Sequence, residues 1–174
     1  MTRANGSDGA NATYGRARVL EARSALDLVV FTLNAQSFAL LARDVRELVR
    51  AVAIAPLPNA PALLEGVINL RGRIVPVLDA RRRFGLPAKP LTPSDHFIVA
   101  DTGERVVALR ADRAVDLVRV DLRDVEGAGV VPEVPYIAGI AKLASGMFLI
   151  HDLRTFLSTT EGHAIDAATR EARG

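Results

Sequence analysis

The sequence predicts an all-β protein made of two small sheets, each of about five short strands, packed on a shared core. Short apolar and β-branched runs such as Leu26–Leu33 and Phe97–Ala100 alternate with turn residues over most of the chain. The same order of runs occurs twice, which indicates an internal repeat. Since neither half is large enough to be stable alone, we expect the two sheets to bury one core between them.

Length and composition fit one soluble domain. At 174 residues and 49% hydrophobic content the chain can bury a core, which excludes disorder of the whole. Its 22 basic and 20 acidic residues leave a net charge of +2 with mostly alternating signs, so no sustained field attracts a polyanion. The chain has no cysteine and no apolar stretch near the ~18 residues that a membrane span needs. We therefore expect a cytoplasmic protein without direct membrane insertion.

The first elements follow from local patterns. Residues 1–25 are polar without apolar periodicity and are predicted to be a disordered tail. A hairpin should then form from Leu26–Leu33 and Phe38–Ala42, with residues 34–37 as its turn. Residues 44–47 are predicted to be a helical turn or a bend that leads into a strand over residues 48–54. Three prolines then interrupt regular structure: Pro56, Pro58 and Pro61.

The stretch from Gly66 to Gly85 predicts a second, tighter hairpin. Its strands are Val67–Leu70 and Ile74–Leu78, and Arg71-Gly72 between them is typical of a two-residue turn in which glycine supplies a positive φ. Arg71 should therefore lie at an exposed tip. Pro76 lacks an amide proton, so the second strand is expected at a sheet edge or at a bulge.

Both hairpins recur in the second half of the chain. An offset of 69 residues aligns the first hairpin with Phe97–Ala100 and Val106–Ala111. An offset of 73 residues aligns Gly66 with Gly139 and the second hairpin with residues 137–157. If each half closes its own sheet into a small barrel, the exposed edges that favour aggregation are removed.

The segments outside the repeat are simpler. Prolines at positions 87, 90 and 93 make a connector of restricted φ between the halves. Residues 159–174 are polar and alanine-rich, and Ile165, Ala168 and Ala172 have loose helical spacing, which predicts a tail or a short, frayed C-terminal helix.

The residues that could carry catalysis form no plausible constellation. Asp101-Thr102-Gly103 matches the triplet of aspartic proteases, but it is also an ordinary turn, and its repeat partner offers no second carboxylate. His151-Asp152 has no further histidine at metal-ligand spacing, and a polar pair at a strand end explains it. We predict no enzyme activity, no cofactor and no metal site, and keep an Asp101 protease as a remote alternative.

Arg81, Arg82, Arg83 and Phe84 allow a second alternative, a small basic barrel that binds nucleic acid. Such sites combine a basic groove with several aromatic residues for base stacking. Only one aromatic residue stands beside this run, so a solvated turn explains the arginines better.

The second hairpin carries a family resemblance. The run G-V-I-N-L-R-G-R-I-V-P-V-L-D-A-R-R-R-F-G resembles the hallmark hairpin of the CheW-like adaptor domains of bacterial chemotaxis, and only Ala80, usually leucine, departs from it. The resemblance covers roughly residues 27–158, and we place the domain at residues 26–158. It implies two SH3-like barrels packed together and related by the internal repeat.

The resemblance also implies a function and a set of surface residues. CheW-like adaptors are non-enzymatic scaffolds that couple methyl-accepting chemoreceptor tips to the regulatory domain of a CheA-like histidine kinase, in arrays at the inner membrane face. The matching arginine, Arg71, belongs to the partner-binding surface of the family, and Glu47, Val45 and Leu117 are implied on partner-facing surfaces. For Val45 and Leu117, plain core packing is the competing interpretation. Gly66 and Gly72 are expected to keep the shape of the hairpin.

Overall fold

The computed structural model describes residues 25–127 and 136–173, so the predicted N-terminal tail, apart from Ala25, lies outside the described residues. The described residues form eleven strands and two α-helices, with 3-10 turns at Ala42–Asp44 and Leu122–Asp124. The helices are α1 (Ala80–Arg83) and α2 (Thr159–Glu171). The strands are β1 (Ala25–Leu33), β2 (Gln36–Leu41), β3 (Val45–Arg50), β4 (Leu64–Leu70), β5 (Arg73–Leu78), β6 (His96–Asp101), β7 (Val106–Ala111), β8 (Arg113–Asp121), β9 (Val125–Gly127), β10 (Ile137–Leu143) and β11 (Gly146–His151).

These strands form two sheets, and the all-β prediction is confirmed. Sheet I has six strands in the order β8-β1-β2-β11-β10-β9, and sheet II has five in the order β3-β6-β7-β5-β4. Most neighbours are antiparallel, but β2 pairs with β11, and β5 with β7, in parallel. Each sheet thus joins two hairpins through one parallel contact.

The two hairpin pairs have matching lengths. Strands β4 and β10, and likewise β5 and β11, have bounds that differ by the same 73 residues at both ends. The expectation that each half closes its own sheet is nevertheless wrong. Sheet I joins β1 and β2 of the first half to β8–β11 of the second, and sheet II joins β6 and β7 to β3–β5. The halves therefore exchange their first hairpins.

Two local predictions also need correction. The helical turn expected over residues 44–47 ends earlier, because Val45 and Glu47 already pair with Ala100 and Val99 of β6. Strand β5 is not at an edge, since it pairs with β4 on one side and β7 on the other. Pro76 is tolerated because the ladder with β7 involves only Val77 and Leu78.

Buried apolar side chains form three clusters. One lies within sheet I and includes Leu28, Val30 and Ile150, and another lies within sheet II. The third and largest draws on both sheets, and the predicted shared core is confirmed. Its most buried large side chains are Phe31, Leu33, Leu40, Leu78, Ile98, Leu109, Leu153 and Phe156.

The C-terminal helix is anchored rather than frayed. Ser158 Oγ accepts a hydrogen bond from the Glu161 amide at 3.2 Å, and the Glu161 carboxylate accepts one from the Ser158 amide at 2.9 Å, which makes a capping box. Ile165 is fully buried in the shared core. Arg105, immediately before β7, donates two hydrogen bonds to Asp166 at 3.0 and 3.1 Å. These contacts hold α2 against sheet II.

The arginine run after β5 is mostly structural, so its description as a solvated turn is wrong. Arg81 is 4% exposed, donates to the Pro87 carbonyl at 2.9 Å and pairs with Asp112. Burial raises the pKa of the Asp112 carboxyl, but hydrogen bonds from Arg81 and the Asn34 amide outweigh burial and leave that pKa below its ordinary value. Arg81 thus stabilises the join between the proline-rich connector and both sheets.

Candidate partner-binding site

Arg71 occupies a tight turn at the tip of the β4–β5 hairpin. Arg71 has φ of 51° and Gly72 has φ of 84°, so both central residues of this two-residue turn lie in the left-handed region, as a type I′ turn requires. The Asn69 side-chain oxygen accepts a hydrogen bond from the Gly72 amide at 2.8 Å. The Arg71 side chain is 80% exposed, as predicted from the sequence.

The structure brings Arg71 together with a second predicted residue, Glu47. Arg71 Nη1 lies 3.0 Å from Glu47 Oε2. Glu47 belongs to β3, at one edge of sheet II, whereas Arg71 follows β4, at the other edge. The ion pair therefore joins opposite edges of the sheet, which requires the sheet to curl back on itself.

The pair lies at the rim of a groove that we call the Arg71 groove, with a volume of about 250 Å³. Apolar side chains form part of its wall and charged side chains surround them, a common arrangement in binding sites. The lining residues are Arg46, Glu47, Leu70, Arg71, Arg73, Val75, Val99 and Val106. Apart from Arg71 and Glu47, these residues were not predicted. For Val99 and Val106 the sequence has no local signal, because the contribution of β6 and β7 depends on the exchange of hairpins.

The other two predicted surface residues lie elsewhere. Val45 is half-buried and packs against the shared core, two positions before Glu47 on β3. Leu117 lies on β8 of sheet I, opposite Val29 of β1, and is 64% exposed. Core packing therefore accounts for Val45 but not for Leu117.

Gly66 allows a close backbone approach. A Cβ atom there would overlap the Ala55 carbonyl oxygen and lie 2.7 Å from Ile54 Cγ2, at a backbone φ of 148°. Gly139, its partner in the repeat, has the same kind of neighbour, since a Cβ atom there would lie 2.6 Å from the Glu126 carbonyl oxygen. Gly72, by contrast, has open space around it.

The surroundings of Asp101 do not favour the protease alternative. Its carboxylate accepts hydrogen bonds from the Gly103 amide at 2.8 Å and from Arg46 Nη2 at 2.6 Å. These two contacts, the Gly103 amide first, hold the pKa of Asp101 below its ordinary value. In a protease dyad one carboxyl keeps a proton at a raised pKa, which is the opposite of what Asp101 shows.

The remaining candidates have structural surroundings. His151 is 2% exposed and its ring centroid lies 4.4 Å from that of Phe84, so the description as a strand-end polar pair misses its burial. Burial lowers the pKa of His151 to about 4. Arg83 pairs with Glu161 at 2.7 Å and lies over the Phe156 ring at 5.4 Å, which removes it from any nucleic-acid surface.

The described part of the chain has neither a metal-binding cluster nor a membrane-spanning helix. Within residues 25–127 and 136–173, no group of three or more histidine, aspartate or glutamate side chains could hold a metal ion. Neither of the two described helices is long and apolar enough to cross a membrane.

Comparison with known proteins agrees with the fold and with the hairpin motif. The model of the CheW-like domain family matches residues 27–161. The chemotaxis protein CheW of Rhizobium meliloti is 30% identical over 141 residues, which cover 79% of this chain and 91% of that protein. The chemotaxis protein CheW of Treponema pallidum is 27% identical over 143 residues, covering 77% and 83% respectively.

A solved structure gives the same result at the level of the fold. The crystal structure of the scaffolding protein TtCheW from Thermoanaerobacter tengcongensis superimposes with a TM-score of 0.71 at 29% identity, covering 78% of this chain and 94% of that one. The predicted fold class, two SH3-like barrels packed on a shared core, is thereby confirmed. The chain therefore belongs to the CheW-like domain family.

Proposed function

We propose that this protein is a non-enzymatic adaptor that couples chemoreceptors to a CheA-like histidine kinase in a bacterial chemosensory pathway. The observation that carries the proposal is the Arg71–Glu47 pair at the rim of the Arg71 groove. Relatives that share the fold are named chemotaxis proteins, and one is described as a scaffolding protein.

Stability does not explain why the hairpin tip carries this arginine. An exposed ion pair contributes about 0–1 kcal/mol, and a non-glycine residue in the left-handed region costs of the order of 1 kcal/mol. The two terms roughly cancel, so Arg71 adds little to the stability of the fold. What the turn and Glu47 do provide is a guanidinium held in one place, with a planar set of donors directed at a partner.

Two separate surfaces allow the protein to hold two partners at once. We assign the Arg71 groove, with Glu47, to the helical hairpin at the cytoplasmic tip of a methyl-accepting chemoreceptor. We assign an exposed surface of sheet I that includes Leu117 to the regulatory domain of the kinase. Repeated weak contacts in an array gain avidity through effective concentration, so each can remain reversible.

The proposed setting follows from this role. The protein would act in the cytoplasm, within receptor arrays at the inner membrane face, without a cofactor and without nucleic acid. Residues 26–158 would form the adaptor domain, flanked by a tail over residues 1–25 and by the C-terminal segment 159–174.

Replacing Arg71 by alanine tests the assignment of the groove. We expect Arg71→Ala to weaken binding of a chemoreceptor cytoplasmic-tip fragment by ~2 kcal/mol, or roughly 30-fold, as for an interface hot spot. The thermal midpoint should change little, because the lost pair is exposed. Calorimetric titration of wild type and variant measures the effect.

Arg123→Ala is a matched control. Arg123 is 88% exposed and pairs with Asp121 at 2.9 Å, so it loses the same kind of ion pair outside the groove. The Arg123→Ala variant should bind the receptor fragment with the affinity of the wild type. If Arg71→Ala remains folded and binds as tightly as Arg123→Ala, Arg71 has no role in receptor binding.

A further inference from the structure

A second cleft, between β5 and α2, is rich in arginine. It has a volume of about 280 Å³, and four guanidinium groups line it, from Arg73, Arg105, Arg170 and Arg173. Most of α2, which supplies two of these arginines, lies beyond the residues matched by the family model. We call this site the β5–α2 cleft.

The positive charge of this cleft is only partly balanced. Asp166 is the one carboxylate among its lining residues, and both of its oxygens accept hydrogen bonds from Arg105, which also pairs with Glu104 at 3.1 Å. Arg173 donates to the Ile74 carbonyl oxygen at 3.2 Å, which supplies no charge. Within the described ranges, no carboxylate lies within 4.0 Å of Arg73 or Arg170.

Unbalanced like charges raise the free energy of the unbound protein and are compensated when an anionic group binds. Elsewhere Arg46, Arg81, Arg83, Arg110 and Arg119 each pair with a carboxylate. Exposed arginines without such a partner among the described residues, such as Arg50 and Arg113, lie on separate strands of different sheets rather than together. Uncompensated guanidinium groups gathered on one cleft therefore indicate a binding surface for carboxylates or phosphates.

The cleft is continuous with the Arg71 groove. Arg73, Val75 and Val106 line both. A ligand that extends from one to the other meets an apolar wall in the groove and guanidinium groups in the cleft. A bare phosphate chain would leave the apolar wall uncovered, whereas a polypeptide with apolar and acidic side chains covers both.

We propose that the β5–α2 cleft binds an acidic stretch of the same polypeptide that enters the Arg71 groove. The inference rests on the proposed function, since it identifies the charge of the groove's partner. The partner places apolar side chains against the half-buried Leu70 and Val106, and its carboxylates face Arg73 and Arg170. Arg170 and Arg173 thereby link the C-terminal helix to partner recognition.

Paired synthetic peptides test this. The probes are an amphipathic helical peptide of roughly 20 residues with leucine on one face and glutamate beside it, and the same peptide with every glutamate replaced by glutamine. We expect the wild-type protein to bind the glutamate peptide roughly 10-fold more tightly, with an advantage that falls as salt is added. Fluorescence anisotropy measures both affinities.

The arginine variants locate the effect. Arg170→Glu combined with Arg173→Glu should abolish the preference for the glutamate peptide, whereas Arg113→Glu, an exposed arginine on β8, should retain it. Circular dichroism at increasing temperature checks that each variant is folded. Equal affinity of the wild type for both peptides overturns the inference. So does tight binding of a single-stranded DNA oligonucleotide or of anionic vesicles without binding of the glutamate peptide.

The receptor fragment separates this inference from the proposed function. If receptor binding requires Arg71 but is unchanged by Arg170→Glu with Arg173→Glu, the cleft inference fails and the adaptor role stands. If the wild type ignores the receptor fragment yet prefers the glutamate peptide through these arginines, the adaptor role fails and the cleft stands.

Discussion

Arg71 and Arg81 lie close in sequence and have opposite surroundings. The Arg71 side chain is 80% exposed beside Glu47, and the Arg81 side chain is 5% exposed beside Asp112. Removing one partner of a buried ion pair leaves an uncompensated charge and costs several kcal/mol, whereas an exposed pair contributes little. Arg81 therefore contributes to the stability of the fold, whereas removal of Arg71 should cost the fold little.

The sequence predicted the exposure of Arg71 but missed the burial of Arg81, and the difference has a physical reason. Arg71 precedes the glycine of a two-residue turn, so its exposure follows from its immediate neighbours. The environment of Arg81 depends on Asp112 and on the Pro87 carbonyl, which only the fold brings close. A run of three arginines carries no local sign of such partners.

His151 gives a prediction at the same scale. Burial holds its pKa at about 4 in the folded protein, below the ordinary value of 6.5, so the unfolded chain binds more protons between these pH values. Above about pH 6.5, protonation of His151 should cost no stability. The free energy of unfolding should then fall as the pH is lowered toward 4. The loss due to His151 should reach roughly 2–3 kcal/mol at about pH 4.5.

Urea unfolding at about pH 7 and pH 4.5 measures this loss. His151→Phe, which keeps the aromatic packing and cannot titrate, should lose less stability between the two pH values than the wild type. His163→Gln, a substitution of an exposed histidine on α2, should behave as the wild type. An unchanged pH dependence in His151→Phe would show that protonation of His151 does not destabilise the fold.

At the scale of elements, the β4–β5 hairpin depends on its two glycines in different ways. A Cβ atom at Gly66 would overlap the backbone of Ala55, which cannot move without disturbing its bridge to Val67. A Cβ atom at Gly72 meets open space and only has to accept a φ of 84°. The first glycine is required for packing between segments and the second for the turn alone.

Alanine at each position tests this difference. Gly66→Ala should lower the free energy of unfolding by ~3 kcal/mol or more, as expected when a side chain is forced into backbone. Gly72→Ala should cost only about 1 kcal/mol. Denaturant unfolding of both variants gives the comparison, and equal costs would mean that the approach of Ala55 does not constrain Gly66.

Elements differed in how far the sequence predicted them. The hairpin strands were predicted within a few residues, because alternating apolar residues and turn chemistry are local signals. The capped start of α2 could have been predicted, because Ser158 and Glu161 have the spacing of a capping box, but this signal was missed. The interior position of β5 had no such signal, because it depends on which strand pairs with it.

At the scale of the whole molecule, the exchange of hairpins decides where the site lies. The sequence repeat indicated two similar units. The residue pattern of an apolar strand, however, does not specify which of two similar hairpins it pairs with. The choice is made by the shared core, which draws on both sheets. The Arg71 groove combines β3, β4 and β5 of the first half with β6 and β7 of the second.

The exchange also makes the two sheets interdependent. Neither half of the chain contains a complete sheet, so the groove on sheet II and the Leu117 surface on sheet I form only when the whole domain folds. A scaffold benefits from this arrangement, because partners bound on different sheets are held in a fixed relation.

Formation of a three-component complex tests the adaptor role as a whole. Analytical ultracentrifugation of a labelled receptor-tip fragment with a kinase regulatory domain should show a new, faster-sedimenting species only when this protein is added. Arg71→Ala should lose that species, and Arg123→Ala should keep it. A protein that binds neither component, or that binds each only in the absence of the other, would contradict a role in coupling them.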